Sequence, residues 1–174
     1  MCGISGYIGE KNCIPILLEG LKRMEYRGYD SSGISIIKDN EIKTFKKAGK
    51  IVNLEKILPN NLESTIGIGH TRWATHGGVT DYNAHPHLSS NNKFVIVHNG
   101  IIENYSYHKN KLISEGYKFR SDTDSEVIAF LIEKNYENNF EEAFYKTLPM
   151  LEGTYGLVAM SLVEPEYIMV ARKG

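Results

Sequence analysis

The sequence predicts an α+β domain in which antiparallel sheets stack on each other and helices pack outside them. Three observations carry this reading. Strand candidates open and close the chain around helices. Neighbouring strand candidates are joined as hairpins rather than through alternating helices. Apolar residues recur at two-residue spacing in some segments and at three- and four-residue spacing in others. A doubly wound parallel sheet would call for strict strand-helix alternation, which this order of elements lacks.

Taken in order, Ile4-Ser5-Gly6-Tyr7-Ile8 alternates apolar with small or polar side chains, as a short half-buried strand does, and Cys2 stands at its start. Asn12 is placed to cap a helix whose apolar residues Ile14, Leu17, Leu18, Leu21 and Met24 recur at helical spacing, with Pro15 tolerated in the first turn. Tyr26 to Gly33 is rich in turn residues. Ile34 to Ile37 and Glu41 to Phe45 then read as a hairpin across Asp39-Asn40. A helical pattern over Val52 to Leu58 leads into Thr65 to His70. Phe94 to Val97 is the short apolar run of a buried strand, and the stretch before it reads as loop. Thr123 with Glu126 forms a capping-box signal for a helix starting near Asp124. Phe140, Phe144, Leu148 and Leu151 fit a further helix stopped by Gly153. Tyr155 to Leu162 and Tyr167 to Ala171 are the closing strands.

Length and charge narrow the function classes. With 174 residues, 41% hydrophobic and 24% charged, the chain has the composition of one domain able to bury a core and a pocket. A net charge of -1 provides no field to collect nucleic acid or an anionic membrane. No window approaches the roughly 20 apolar residues of a membrane span, and the start lacks the basic and apolar stretches of a secretory signal. A cytoplasmic, reducing setting is expected. Two cysteines, Cys2 and Cys13, are too few for a disulfide scaffold, so any special role for one is chemical. The sequence stops right after Ala171-Arg172-Lys173-Gly174 with no evident terminating structure. The domain, 1–174, is therefore expected to be incomplete at its C-terminus.

Cys2 is the first candidate for chemistry. Met1 is removed efficiently ahead of a small second residue, which would leave a cysteine bearing a free amine. An α-amine with a pKa of roughly 7.7–8.0 can take the thiol proton near neutral pH, so one residue would supply nucleophile and base. Position alone favours a small hydrophobe that happens to lie second, and only the residues around it can change that. Gly69 to Gly78 gathers Arg72, the only tryptophan, Trp73, the hydroxyl of Thr75 and the histidines His70 and His76 in one polar segment, the composition of a binding loop. Trp73 is costly to leave in a loop with no pocket. Asn99 and Gly100 end the run from Phe94 with an amide and a flexible backbone N–H, which suits an oxyanion hole; Asn-Gly is also the commonest hairpin turn. Asp124 either complements a helix dipole or faces a pocket and holds an ammonium. His85-x-His87 with His76 and a cysteine lacks any zinc-motif spacing. No phosphate-binding glycine loop, dinucleotide fingerprint or serine-hydrolase elbow is present, and Cys13 reads as core.

Six segments in this order carry a resemblance: Met1-Cys2-Gly3-Ile4, Glu25 to Ser31, Gly69 to Gly77, Asn83-Ala84-His85-Pro86-His87, His98 to Tyr105 and Ser121-Asp122-Thr123-Asp124. Together they cover essentially the whole chain, which resembles the N-terminal glutaminase domain of the glutamine-fructose-6-phosphate aminotransferase family. The resemblance implies an N-terminal-nucleophile hydrolase fold, a four-layer α-β-β-α sandwich. It implies Cys2 as nucleophile and Asn99 and Gly100 as oxyanion donors. Arg72 matches the partner of the substrate α-carboxylate and Asp124 that of the α-ammonium. Trp73, Thr75 and His76 match the surrounding glutamine loop, and Arg27 and His85 match supporting positions. The implied reaction releases glutamate and ammonia from glutamine through a glutamyl thioester, with neither metal nor organic cofactor.

Relatives of that family continue into two sugar-phosphate isomerase lobes holding the fructose 6-phosphate site, which this sequence lacks. Fructose 6-phosphate would thus be a partner only through those lobes, and a homodimer is an option only for the full-length enzyme. Two rival readings stay open. One is the glutaminase domain of an amidotransferase acting on phosphoribosyl pyrophosphate or making asparagine. The other is a noncatalytic glutamine-binding module in which Arg72 and Asp124 work while Cys2 stays blocked by Met1.

Overall fold

The structure, a computed structural model, describes residues 2–174. The chain begins with β1 (Gly3–Ile8), α1 (Cys13–Lys22), a 3-10 turn (Glu25–Arg27) and the hairpin β2 (Ser31–Lys38) and β3 (Glu41–Ala48). It continues through α2 (Ile51–Ile57), β4 (Ile66–Arg72), β5 (His87–Leu88), β6 (Phe94–Ile102), α3 (Tyr105–Ser114), α4 (Glu126–Asn135) and α5 (Phe140–Thr147). The closing hairpin is β7 (Gly153–Ser161) and β8 (Ile168–Lys173). The strands form two antiparallel sheets, ordered β1-β4-β2-β3 and β5-β6-β7-β8. The first carries α1 and α2 on its outer face, the second carries α4, and α3 and α5 pack on α4. This is the α-β-β-α layering that the resemblance implies.

Two-residue alternation along the strands decides which side chains fill which layer. Ile66 and Ile68 of β4 meet Val95, Val97, Val158 and Met160 between the sheets. Ile34 and Ile36 of β2 face outward under Leu17, Leu21, Ile51 and Leu54 of α1 and α2. Phe94, Ile96, Leu157 and Ala159 lie under Val127, Phe130, Phe140 and Phe144 of α4 and α5. Each fully buried Leu or Phe is worth about 1.5–3 kcal/mol over an exposed one. The outward positions of β4 between these layers are Gly67 and Gly69. A Cβ at Gly67 would come 2.8 Å from Leu17 Cδ1 and 2.9 Å from Ser35 O, so the absence of a side chain lets α1 sit close.

Several boundaries follow the sequence reading. Asn12 caps α1, its Oδ1 accepting the Ile14 N–H at 3.2 Å. Asp39 and Asn40 have φ of 54° and 58°, the left-handed pair of a tight hairpin turn. Others move. β2 begins at Ser31 rather than Ile34 because Ser31 to Gly33 are laddered on both sides, to β4 and β3. The expected capping box ahead of α4 does not form. Ser125 is the N-cap without a side-chain bond. Glu126 instead reaches back to the N–H groups of Arg120 and Ser121, at 3.0 and 2.8 Å, and to the Ser121 hydroxyl at 2.7 Å. The helix thus starts beyond Asp124. α5 gives way to a 3-10 turn at Leu148–Met150, and Gly153 is no stop but the first residue of β7. A Cβ there would lie 2.2 Å from Ile101 O. α3 escapes sequence detection because it buries only His108 and Leu112.

Candidate active site

The β1–β4 ladder builds the first half of the site. Gly3 pairs with Thr71, so the antiparallel register brings Cys2, just before β1, opposite Arg72, the last residue of β4, and beside Trp73. Cys2 Sγ accepts the Trp73 N–H at 3.1 Å and lies 3.7 Å from Trp73 O. Gly3 has no room for a side chain: a Cβ would fall 2.5 Å from Met24 Sδ and 2.9 Å from Thr71 Oγ1. Partial burial pushes the Cys2 thiol above its ordinary pKa, with the Trp73 hydrogen bond pulling the other way. Met1, whose removal the sequence reading invokes, lies outside the described residues.

β6 supplies the second half from the opposite sheet. Asn99 follows Val95 and Val97 on the inward face of β6, and its Nδ2 donates to Cys2 O at 3.3 Å. Asn99-Gly100 is not a hairpin turn. Both residues stay in the ladder with β7, opposite Gly156 and Tyr155, and the strand runs on to Ile102. Gly100 has φ of 128°, and a Cβ there would lie 2.1 Å from Thr154 O, so only glycine fits.

Arg72 is buried by the same alternation that buries Ile66 and Ile68. Its guanidinium donates to the carbonyls of His76 at 2.5 Å and Gly78 at 3.1 Å, gathering the following loop around itself. Burial lowers its pKa, opposed mainly by the charge of Asp30. Asn83 braces the same loop, with Nδ2 on Gly78 O at 3.0 Å and Oδ1 accepting the Asp122 N–H at 2.9 Å. Asp124, held just ahead of α4, is also buried and accepts the Ile102 N–H at 2.8 Å. Between these groups lies a cavity of about 280 Å³ whose lining includes Cys2, Arg72, Gly100 and Asp124. Thr75, His76, His85 and Trp73 also line it. A cationic wall, an anionic wall and a thiol therefore share one small space. Wider surface hollows elsewhere, one along Ser90 and Glu115 to Arg120 and one beside α1, contain no cysteine.

Three of the candidate residues differ in exposure and in their place around the cavity. Trp73 is 54% exposed and forms the rim, because it follows inward-facing Arg72 and so faces out. Arg27 is exposed on the 3-10 turn, its Nε donating to Tyr26 Oη at 3.3 Å, and does not appear among the described residues lining the cavity. His85 is buried and stacks on His70 with ring centroids 4.2 Å apart, next to His87 at 4.5 Å. Among the described residues no group of histidines, cysteines and carboxylates is arranged to hold a metal ion. Asp30, His70 and His98 escaped the sequence reading as site residues. Asp30 Oδ2 accepts the Ala74 N–H at 2.5 Å. His98 Nδ1 lies 2.7 Å from Ser125 Oγ, which in turn lies 3.3 Å from Asp124 Oδ1.

Comparison with known proteins agrees with this geometry. A family model for a glutamine amidotransferase domain matches residues 70–173. Among curated relatives, a glutamine-fructose-6-phosphate aminotransferase (isomerizing) of Chlorobaculum tepidum is 50% identical, across all of this chain and 30% of the relative. That of Pyrococcus horikoshii is 54% identical, across 99% of this chain and 29% of the relative. The chain thus spans about 30% of the length of these relatives. Among solved structures, glutamine phosphoribosylpyrophosphate amidotransferase from B. subtilis superposes with a TM-score of 0.82 at 26% identity, over 99% of this chain and 37% of that one. A glutamine aminotransferase class-II domain protein from Silicibacter pomeroyi shares the fold at a TM-score of 0.66 and 17% identity, over 100% of this chain and 77% of that one. With the family model matching more than half of its length, the chain belongs to the glutamine amidotransferase domain family.

Proposed function

We propose that this chain hydrolyses the side-chain amide of glutamine to glutamate and ammonia, with Cys2 as the nucleophile. The observation that carries the reading is the cavity in which Cys2 and Gly100 meet Arg72 and Asp124, with the Asn99 amide bonded to the Cys2 carbonyl beside it. Glutamine has two fixed charges at its amino-acid end and an uncharged amide at the other. A guanidinium and a carboxylate suit the first, and a thiol beside amide donors suits the second. Arg72 is the proposed partner of the α-carboxylate and Asp124 of the α-ammonium. Trp73, Thr75 and His76 close around the substrate.

In the proposed reaction, removal of Met1 leaves the α-amine of Cys2 free. The neutral amine takes the thiol proton as sulfur bonds to the amide carbon, and the carbonyl π electrons move to oxygen. Asn99 Nδ2 and the Gly100 N–H hold that oxyanion. Collapse re-forms the carbonyl and breaks the carbon–nitrogen bond, and the α-ammonium gives its proton to the departing nitrogen, which leaves as ammonia. Water then adds to the thioester, glutamate leaves and the thiol is restored. A thiol held up by burial is scarcely ionised on its own, which is why a base at the same residue matters.

Relatives whose names join glutamine to fructose 6-phosphate support a finer reading, in which the ammonia passes to that sugar phosphate in further domains. Among the described residues no helix is long and apolar enough to cross a membrane. A reducing, cytoplasmic setting suits a reaction that needs a free thiol. The deciding experiment measures ammonia and glutamate release by the purified chain beside Cys2→Ala, with intact mass on the same sample. Release that depends on Cys2 is expected. No release from chain lacking Met1, or equal release from Cys2→Ala, would refute the proposal.

A further inference from the structure

We infer that His70 is a positioning residue whose Nε2–H locks the Asn99 amide in the orientation that turns Nδ2 toward Cys2. The inference deepens the proposed function and rests on the roles given there to Cys2 and Asn99.

His70 occupies the inward face of β4 and is fully buried. Its ring crosses from the first sheet to the second, where Nε2 lies 2.6 Å from Asn99 Oδ1 and 3.0 Å from His98 O. A backbone carbonyl only accepts, so Nε2 carries the hydrogen. The end of the Asn99 side chain facing that N–H at 2.6 Å must then be its oxygen, since a flipped amide would set donor against donor. With Oδ1 fixed, Nδ2 occupies the far side, where it donates to Cys2 O at 3.3 Å. The orientation an oxyanion donor requires is thus imposed from behind by one imidazole.

The ring is itself held. Its Nδ1 has no partner among the described residues, consistent with a neutral ring whose single hydrogen is on Nε2. Burial lowers its pKa to about 3, so the ring stays neutral through the working range. His85 stacks against it at 4.2 Å with planes 29° apart, and His87 backs His85 edge-on. Lys46 fixes the segment carrying His85: its Nζ donates to Ala84 O at 2.9 Å and Pro86 O at 3.3 Å. Gly33 makes room beneath, since a Cβ there would lie 2.1 Å from His85 O.

A residue that merely bridged the sheets would lower activity in any background, whereas one acting through Asn99 has no effect once Asn99 is gone. His70→Phe keeps a flat ring for the stack and removes the donor. It is expected to lower kcat toward the about 10²–10³-fold loss typical of a deleted oxyanion donor, with KM for glutamine little changed. In an Asn99→Ala background the same substitution should change kcat by less than about twofold, and His70→Gln, which retains an N–H donor, should recover part of the loss. An unchanged kcat in a folded His70→Phe, or losses that multiply with Asn99→Ala, overturns the inference. Nitrogen-15 NMR of the imidazoles adds an arm independent of turnover. An Nε2–H tautomer of His70 and a protected Asn99 side-chain amide that loses protection in His70→Phe are expected. An Nδ1–H tautomer overturns the inference. Wild-type chain that shows the expected spectra but hydrolyses no glutamine would sustain the positioning and count against the glutaminase reading instead.

Discussion

Asn99 and Cys2 set the energetics of the proposed site residue by residue. Asn99→Ala leaves the strand intact and removes one donor, so kcat for glutamine hydrolysis should fall by about 10²–10³ while the melting curve stays near wild type. An unaffected rate would take Asn99 out of that role. The Cys2 thiol sits above its ordinary pKa through burial, so proton removal falls to the free α-amine. That amine must be neutral, and kcat/KM should therefore rise with pH up to the amine pKa of roughly 7.7–8.0 and level off above it. A rate flat from pH 6 to 9 would exclude the amine as base. That Cys2, Arg72, Gly100 and Asp124 share one cavity was implied beforehand by the family resemblance of their motifs, whereas the residues alone left Asn99-Gly100 open to a hairpin turn and Asp124 to a helix-dipole role. His70 was not legible in the same way. It stands within a motif, but its partner Asn99 is 29 residues away on the other sheet.

Local chemistry fixes the elements unevenly. Asn12 does two jobs, its Oδ1 accepting from Ile14 N at 3.2 Å and from Ser64 N at 3.3 Å. Asn12→Ala should cost about 1 kcal/mol from the cap, measurable as a lower urea midpoint, and more where the Ser64 N–H is left without water. No change in midpoint would mean the cap is dispensable. Gly67→Ala should cost about 1–3 kcal/mol, since its methyl would press on Leu17 and on a backbone carbonyl that cannot yield. Asn12 was readable because capping is local and uses one residue type. Glu126 defeated the same reasoning: an acidic residue three after Thr123 fits a capping box, yet its carboxylate serves the segment before the helix. α3 lacked signal because a helix lying on other helices, with two buried positions, has no apolar stripe to read.

The two sheets enclose a layer that changes character along its length. At one end Ile66, Ile68, Val95, Val97, Val158 and Met160 make it apolar. Continuing the same alternation along β4 and β6 brings His70, Arg72 and Asn99 inward, so the polar end of the layer adjoins the cavity, which Arg72 lines. The layering was legible from hairpins and spacing, whereas this polar end was not, because it depends on the register between sheets. It also carries a cost that depends on pH. Burial holds His70 down to about 3 and His98 to about 4, and pushes His85 and His87 well below the ordinary 6.5. The unfolded chain protonates all four near 6.5. Each folded value is therefore depressed below the unfolded one, and between them the unfolded state binds more protons. The stability contributed by keeping these rings neutral is complete above about pH 6.5 and is lost as pH falls toward 4 and below, by up to about 1.4 kcal/mol per pH unit for each ring. Urea titrations at pH 7.5, 6 and 5 should show a midpoint that falls ever more steeply. A midpoint unchanged between pH 7.5 and 5 would mean that these histidines take up protons without unfolding, and that the layer is open to water.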